Sequence, residues 1–199
     1  MNDYTVSYLS EVGRIAASLD AAAIDRMVDL LVEIRGKQGR LFFLGVGGGA
    51  GHAGHAVNDF RKIAGIESYA PTDNVSELTA RINDEGWECC YAQWLRGSHL
   101  SARDGVFIFS VGGGNAERKV SLNLVASLAL AREVGARILG VVGRDGGTTA
   151  QMADACLVIP TLSAETVTPH TEEFQAVVWH LLVSHPRLRC HEMKWESGQ

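Results

Sequence analysis

The chain has no stretch of about 18 consecutive apolar residues, the length a membrane-spanning helix needs, so no such span is expected. It has no run of Lys or Arg. With a net charge of −5, that argues against a broad nucleic-acid-binding surface. The opening residues Met1-Asn2-Asp3-Tyr4 lack the basic-then-apolar layout of a signal peptide. The four cysteines, Cys89, Cys90, Cys156 and Cys190, form no C-x-x-C pair and no disulfide-type spacing. They read as reduced thiols, and a cytoplasmic location is expected. Cys156, inside Ala155-Cys156-Leu157-Val158-Ile159, reads as core. No repeat or low-complexity linker interrupts the 199 residues, so a single domain over 1–199 is expected.

Glycine, by contrast, is concentrated. An apolar run, Leu41-Phe42-Phe43-Leu44, feeds Gly45-Val46-Gly47-Gly48-Gly49-Ala50-Gly51-His52, and a helical pattern leaves it over residues 50–64. Glycines at a strand-to-helix junction expose backbone N–H groups near a helix N-terminus, a general way to hold an anion such as phosphate. The same helix carries His55 and Asp59, spaced i, i+4 and so on one face. A second cluster, Ser110-Val111-Gly112-Gly113-Gly114-Asn115, follows the buried-strand pattern Val106-Phe107-Ile108-Phe109.

The rest of the pattern is α/β. Residues 3–19 and 21–37 carry apolar residues at helical spacing, with Asp20 as N-cap of the second helix. This N-terminal helical pair, 1–38, either covers a sheet or packs against another subunit; pattern alone leaves both open. Strands are predicted at residues 40–45, 66–70, 106–110, 138–142 and 156–159. Helices are predicted at 75–82 and 86–96, with Thr72 or Asp73 capping the first and a break at residues 83–86. A further helix is predicted over 117–134, C-capped by Gly135. A short helix through about residue 153 follows Gly143-Arg144-Asp145-Gly146-Gly147. A long helix over 169–184 has Thr168 as N-cap and Pro169 at its first position. Continuous apolar strands alternating with helices indicate a parallel sheet covered on both faces over 40–186, whose ligands bind beyond the strands' carboxyl ends. Residues 187–199 read as a tail.

Gly45-x-Gly47-x-x-Ala50 satisfies a loose dinucleotide pattern, but Glu67 is a poor match for the expected acidic residue, so nicotinamide binding is disfavoured. The last helix offers Glu172, Glu173 and His180. With His55 and Asp59 these could bind metal through zinc-type N and O donors, act as general acid and base, or hold solvated or core positions; the residues alone leave these open. Trp179 reads as core.

Together these segments resemble the sugar isomerase (SIS) domain, and within it the phosphoheptose isomerases. The resemblance rests on Gly45–Gly49 with His55-Ala56-Val57-Asn58-Asp59, on Asp73-Asn74-Val75-Ser76 and on Asn83-Asp84-Glu85-Gly86-Trp87. It also rests on Gly143-Arg144-Asp145-Gly146-Gly147 and on Glu172-Glu173 with His180. It implies a three-layer sandwich with a five-stranded parallel sheet, and a homotetramer with active sites at subunit interfaces. It implies aldose–ketose isomerisation of a phosphorylated sugar, such as sedoheptulose 7-phosphate, through an enediol. By the resemblance Asp59 and His180 are catalytic, and zinc is held by His55, Asp59, Glu172 and His180. Substrate contacts fall to Gly47, Gly48, Gly49, Asp73, Ser110, Gly112, Gly113, Gly114 and Asn115. Several positions depart from the family pattern. Gly49 and the Gly112–Gly114 turn stand where serines are usual, Asp59 stands for glutamate and Glu172 for glutamine. The alternative is a non-catalytic SIS module that binds a sugar phosphate or a protein partner as a regulator.

Overall fold

A computed structural model describes residues 3–193. Two helices, α1 (Tyr4–Ser18) and α2 (Ala21–Gly36), precede the first strand. Then come β1 (Leu41–Gly45), α3 (Gly48–Lys62), β2 (Ser68–Tyr69), a 3-10 turn (Pro71–Asp73), α4 (Val75–Glu85) and α5 (Cys90–Gly97). The second half holds β3 (Gly105–Ser110), α6 (Leu122–Val134), β4 (Arg137–Val142), α7 (Gly147–Met152), β5 (Ala155–Val158) and α8 (Val167–Ser184). The sheet is parallel throughout, in the order β2-β1-β3-β4-β5. Among the described residues no helix is long and apolar enough to cross a membrane.

Two-residue alternation builds three layers. Leu41, Phe43, Phe107, Phe109, Leu139 and Val141 point to one face, where they pack with α2, α3 and α8. Phe42, Leu44, Val106, Ile108 and Ile138 point to the other, against α5 and α6. Both faces are covered, which is why these strands are apolar along their whole length.

Of the two N-terminal helices, α2 covers the sheet and α1 is largely exposed. Asp20 caps α2 by accepting from Ala23 N at 3.1 Å, and the helix buries Ala23, Ile24, Met27, Val28, Leu31 and Ile34 as sheet cover. In α1 only Ile15 is buried, while Tyr4, Val6 and Leu9 are 63–69% exposed. The start of the tail is pinned: Leu188 is fully buried, and Arg35 donates to the carbonyls of Leu188 (2.6 Å) and Arg187 (2.9 Å). Residues 194–199 of the expected tail lie outside the described residues.

Several boundaries differ from the sequence pattern for local reasons. Helix α3 starts at Gly48 instead of residue 50, because glycine backbone continues directly into the helix. Strand β2 is only two residues long, and Asn83 to Glu85 continue α4 until Gly86 stops it at φ +89°. Asn74 caps α4, accepting from Ser76 N at 3.1 Å, while Asp73 turns back to accept from Ala70 N at 2.9 Å. Helix α6 starts at Leu122, since Asn115 and Val120 pair with each other in an antiparallel bridge. In α8 Thr166 is the N-cap position, and Thr168 and Pro169 lie inside the first turn. Proline is tolerated there because first-turn N–H groups have no intrahelical acceptor.

One buried ion pair ties the β1 and β3 entrances. Asp104, whose side chain is 2% exposed, accepts from Arg40 N (2.8 Å), Arg40 Nη2 (2.9 Å) and Ser101 N (2.9 Å). Burial pushes the Asp104 carboxyl up, but the Arg40 guanidinium and the N–H donors outweigh it and hold it below the usual carboxylate range. Its stabilising contribution is therefore present above an unfolded-state pKa of about 3.9 and is lost as pH falls through the lower folded value. Asp104→Asn should cost about 3 kcal/mol in denaturant unfolding at pH 7, because it leaves Arg40 without its charge partner. The difference between the variant and the parent should shrink as the pH is lowered below about 4.

Candidate active site

Both glycine clusters sit at the carboxyl ends of strands, and close packing explains their composition. Gly47 N-caps α3 at φ +60°, a conformation that favours glycine. A Cβ added at Gly49 would lie 2.4 Å from the Phe109 carbonyl oxygen of β3, so this backbone has no room for a serine there. A Cβ at Gly48 would lie 2.4 Å from Glu172 Oε1. The Glu172 carboxylate thus faces the first turn of α3, where the helix dipole favours negative charge.

The second cluster interlocks with the β4–α7 turn. The Gly113 carbonyl accepts from Thr149 N (2.9 Å) and Thr149 Oγ1 (2.7 Å), and the Gly114 carbonyl accepts from Thr148 N (2.9 Å). At Gly113, φ is +68° and a Cβ would lie 1.9 Å from the Gly146 carbonyl oxygen. Gly113 and Gly114 are buried and serve this docking. Ser110 Oγ accepts from Gly113 N at 3.0 Å and braces the turn. The Asn115–Val120 bridge then folds back and delivers Ser121, at φ +48°, to the same cleft as Ser110.

These turns and the start of α8 enclose a cleft of about 530 Å³. Of the expected substrate residues, Gly49, Ser110, Gly112 and Asn115 line it, and Glu172 lies in its wall. Gly47, Gly48, Gly113 and Gly114 are not on its lining, and the exposed Asp73 sits apart on the 3-10 turn after β2. Sequence pattern assigns no site role to further polar lining residues, among them Arg118, Ser121, Arg144, Asp145 and Gln175. Arg144 lies in the glycine-rich turn at 143–147, where spacing alone gives it no role, and Ser121 is hidden by the hairpin that brings it back. Among the described residues neither Arg118 nor Arg144 has a carboxylate within ion-pair distance.

Helices α3 and α8 run side by side away from this cleft, and their contacts follow one another down the seam. Gly48 meets Glu172; then His52 Nδ1 meets Gln175 Oε1 at 2.9 Å; then His55 and Asp59 meet Trp179 and His180. At the far end Asp59, 2% exposed, is the centre. Its Oδ2 lies 3.5 Å from His55 Nε2 and 3.5 Å from His180 Nε2, and it accepts from Trp179 Nε1 at 3.1 Å. Oδ1 accepts from Asn58 Nδ2 at 3.0 Å. His180 Nδ1 lies 2.9 Å from the Ala176 carbonyl; a carbonyl can only accept, so Nδ1 carries the proton and Nε2 is the basic nitrogen of the neutral ring. The imidazoles are about half exposed, so the buried carboxylate is reached past two histidines.

This donor set fits zinc. One atom each from His55, Asp59 and His180 lies within 4.8 Å of the others. In a tetrahedral site with bonds of about 2.1 Å, ligand atoms stand roughly 3.4 Å apart, close to the two 3.5 Å separations here. Glu172 is not in this group. It is eight residues before His180, roughly 12 Å along the helix, and faces Gly48 instead.

No family profile matches the chain. The lincomycin biosynthesis protein LmbN of Streptomyces lincolnensis is 32% identical over 184 residues, which cover 87% of this chain and 65% of that protein. The phosphoheptose isomerase of Geotalea daltonii is 30% identical over 164 residues, 80% of each chain. The solved phosphoheptose isomerase GmhA of Neisseria gonorrhoeae shares the fold: its TM-score is 0.78 over 90% of this chain and 95% of its own, at 21% identity. At 30% identity over four fifths of both chains, and with the shared fold, the chain belongs, as an isomerase of the SIS fold, to the phosphoheptose isomerase family.

Proposed function

We propose that this single SIS domain is an aldose–ketose isomerase of a phosphorylated sugar, with sedoheptulose 7-phosphate and its aldose isomer as the first pair to test. The observation that carries the reading is the convergence of His55 and His180 on one buried Asp59 oxygen. Isomerisation needs a base for the proton on C1 and proton transfers between the oxygens on C1 and C2. Asp59 takes the C1 proton and returns it to C2. His180, whose basic Nε2 faces Asp59, moves the proton between the two oxygens. A zinc ion would rest on His55, Asp59 and His180 and would stabilise the enediolate charge from His55 and Asp59 while His180 Nε2 leaves it to carry the proton, since Nδ1 is held by the Ala176 carbonyl. Glu172 could complete a four-donor set only from a second copy of the chain, because in its own chain it faces Gly48.

The phosphate end of the substrate belongs in the cleft. Arg118 and Arg144 supply positive charge there beside the carboxylates of Asp145 and Glu172, and Ser110, Ser121 and Asn115 supply polar contacts. From Gly48 to His55 and Asp59 the helix rises roughly 10–16 Å, so sugar and phosphate lie along the α3–α8 seam or across two subunits. A homotetramer with shared sites suits the exposed Tyr4, Val6 and Leu9 of α1 and the half-exposed histidines. The regulatory-module reading is not favoured, since a module that only binds has no need of a carboxylate buried between two imidazoles.

In D2O the purified, zinc-loaded protein should wash deuterium into substrate at C1 or C2, read by NMR. Asp59→Asn and His180→Ala should each slow this at least about a hundredfold while the variants stay folded. Exchange that persists in both contradicts these roles, and sugar-phosphate binding without turnover across heptoses, hexoses and pentoses would favour the regulator. Arg144→Ala should raise KM about tenfold or more, with kcat nearly unchanged, because it removes a charge-assisted contact made equally in ground and transition states.

A further inference from the structure

The pattern of the last helix makes Trp179 a core residue, and by burial it is one, at 2% exposed. A core role would be filled by any apolar ring. The indole N–H does something an apolar ring could not. It donates to Asp59 Oδ2 at 3.1 Å, the same oxygen that faces His55 Nε2 and His180 Nε2. Asn58 Nδ2 donates to Oδ1 from an exposed side chain, so the indole is the buried donor on the carboxylate.

The indole itself cannot drift. Its ring centroid lies 5.9 Å from Phe109 of β3 and 5.2 Å from both His52 and His55 of α3. The sheet below and two imidazoles beside it hold the ring, and with it the direction of the N–H. An aspartate has only two side-chain torsions, so a donor fixed on a neighbouring helix decides where its outer oxygen points.

We infer that Trp179 is a positioning residue, whose indole N–H aims the Asp59 carboxylate at the space between His55 and His180. It thereby sets both the metal affinity and the rate of the proton transfer. The inference rests on the reading that Asp59 is the reacting carboxylate. Hydrogen-bond partners behind a metal-binding carboxylate commonly control affinity or activity about 10–100-fold.

Trp179→Phe keeps an aromatic ring and deletes the donor. The expected result is a folded variant whose Zn2+ affinity, measured by chelator competition, falls about 10–100-fold. At saturating Zn2+ its kcat should fall by a similar factor while KM stays within about threefold, as for a group acting mainly in the transition state. Wild-type Zn2+ affinity and kcat in folded Trp179→Phe would overturn the inference. Asp59→Asn, assayed alongside, separates the two levels: an active Asp59→Asn removes the underlying reading, whereas an inactive Asp59→Asn with a wild-type-like Trp179→Phe removes only this one. If Trp179→Phe does not fold, the indole 15N–1H signal of Trp179 in the otherwise native protein decides. It should move both on adding Zn2+ and in Asp59→Asn, and a signal unmoved by either would overturn the inference.

Discussion

A carboxylate that is almost wholly buried between two helices constrains everything around it. Asp59 is buried with Trp179 and Asn58 donating to its two oxygens and two imidazole nitrogens 3.5 Å from Oδ2, and removing the donors from a buried polar group is costly. His55, Asn58 and Asp59 come from α3, and Trp179 and His180 come from α8. The arrangement therefore depends on how closely α3 and α8 pack on each other and on the sheet. Both helices begin at the carboxyl edge of the sheet, so the seam that ends at Asp59 starts at the cleft.

Glycine makes that approach tight. At Gly45 an added Cβ would lie 2.3 Å from Gly49 backbone, and at Gly49 one would meet the β3 carbonyl. The first turn of α3 is thus drawn onto the strand ends. The second cluster has a different purpose, since Gly113 and Gly114 lock the β3 exit onto the start of α7. Their carbonyls occupy N–H groups in the first turn of α7, so the cleft is lined by Arg118, Arg144, Asp145, Glu172 and hydroxyls instead of that helix end. The glycines that replace serines therefore do not empty the cleft of polar contacts: Ser121 returns by way of the Asn115–Val120 hairpin.

Much of this was legible in the residues. Strands such as Val106-Phe107-Ile108-Phe109 are apolar along their length because both faces are covered, and that marks a parallel sheet before any coordinates exist. The i, i+4 pair His55 and Asp59 was visible for the same reason, since helix periodicity places them together. Contacts between helices were not. Nothing local tells Trp179 from a core tryptophan, or shows that Glu172 turns towards Gly48 while His180, two turns later, turns towards Asp59. Position makes Asp73 a candidate helix cap and the resemblance makes it a substrate contact, while its carboxylate accepts from the backbone of its own turn. The late start of α6 was hidden because the hairpin residues 115–120 carry helix-compatible side chains, and only the Asn115–Val120 pairing excludes them.

The end of the α3–α8 seam, at Asp59, is the proposed reacting centre. The most direct test is anomalous diffraction at the zinc edge from crystals of the protein grown with zinc. The account predicts one peak per subunit bonded to His55 Nε2, Asp59 and His180 Nε2. A zinc peak at other residues, or no peak in zinc-saturated crystals, would contradict it.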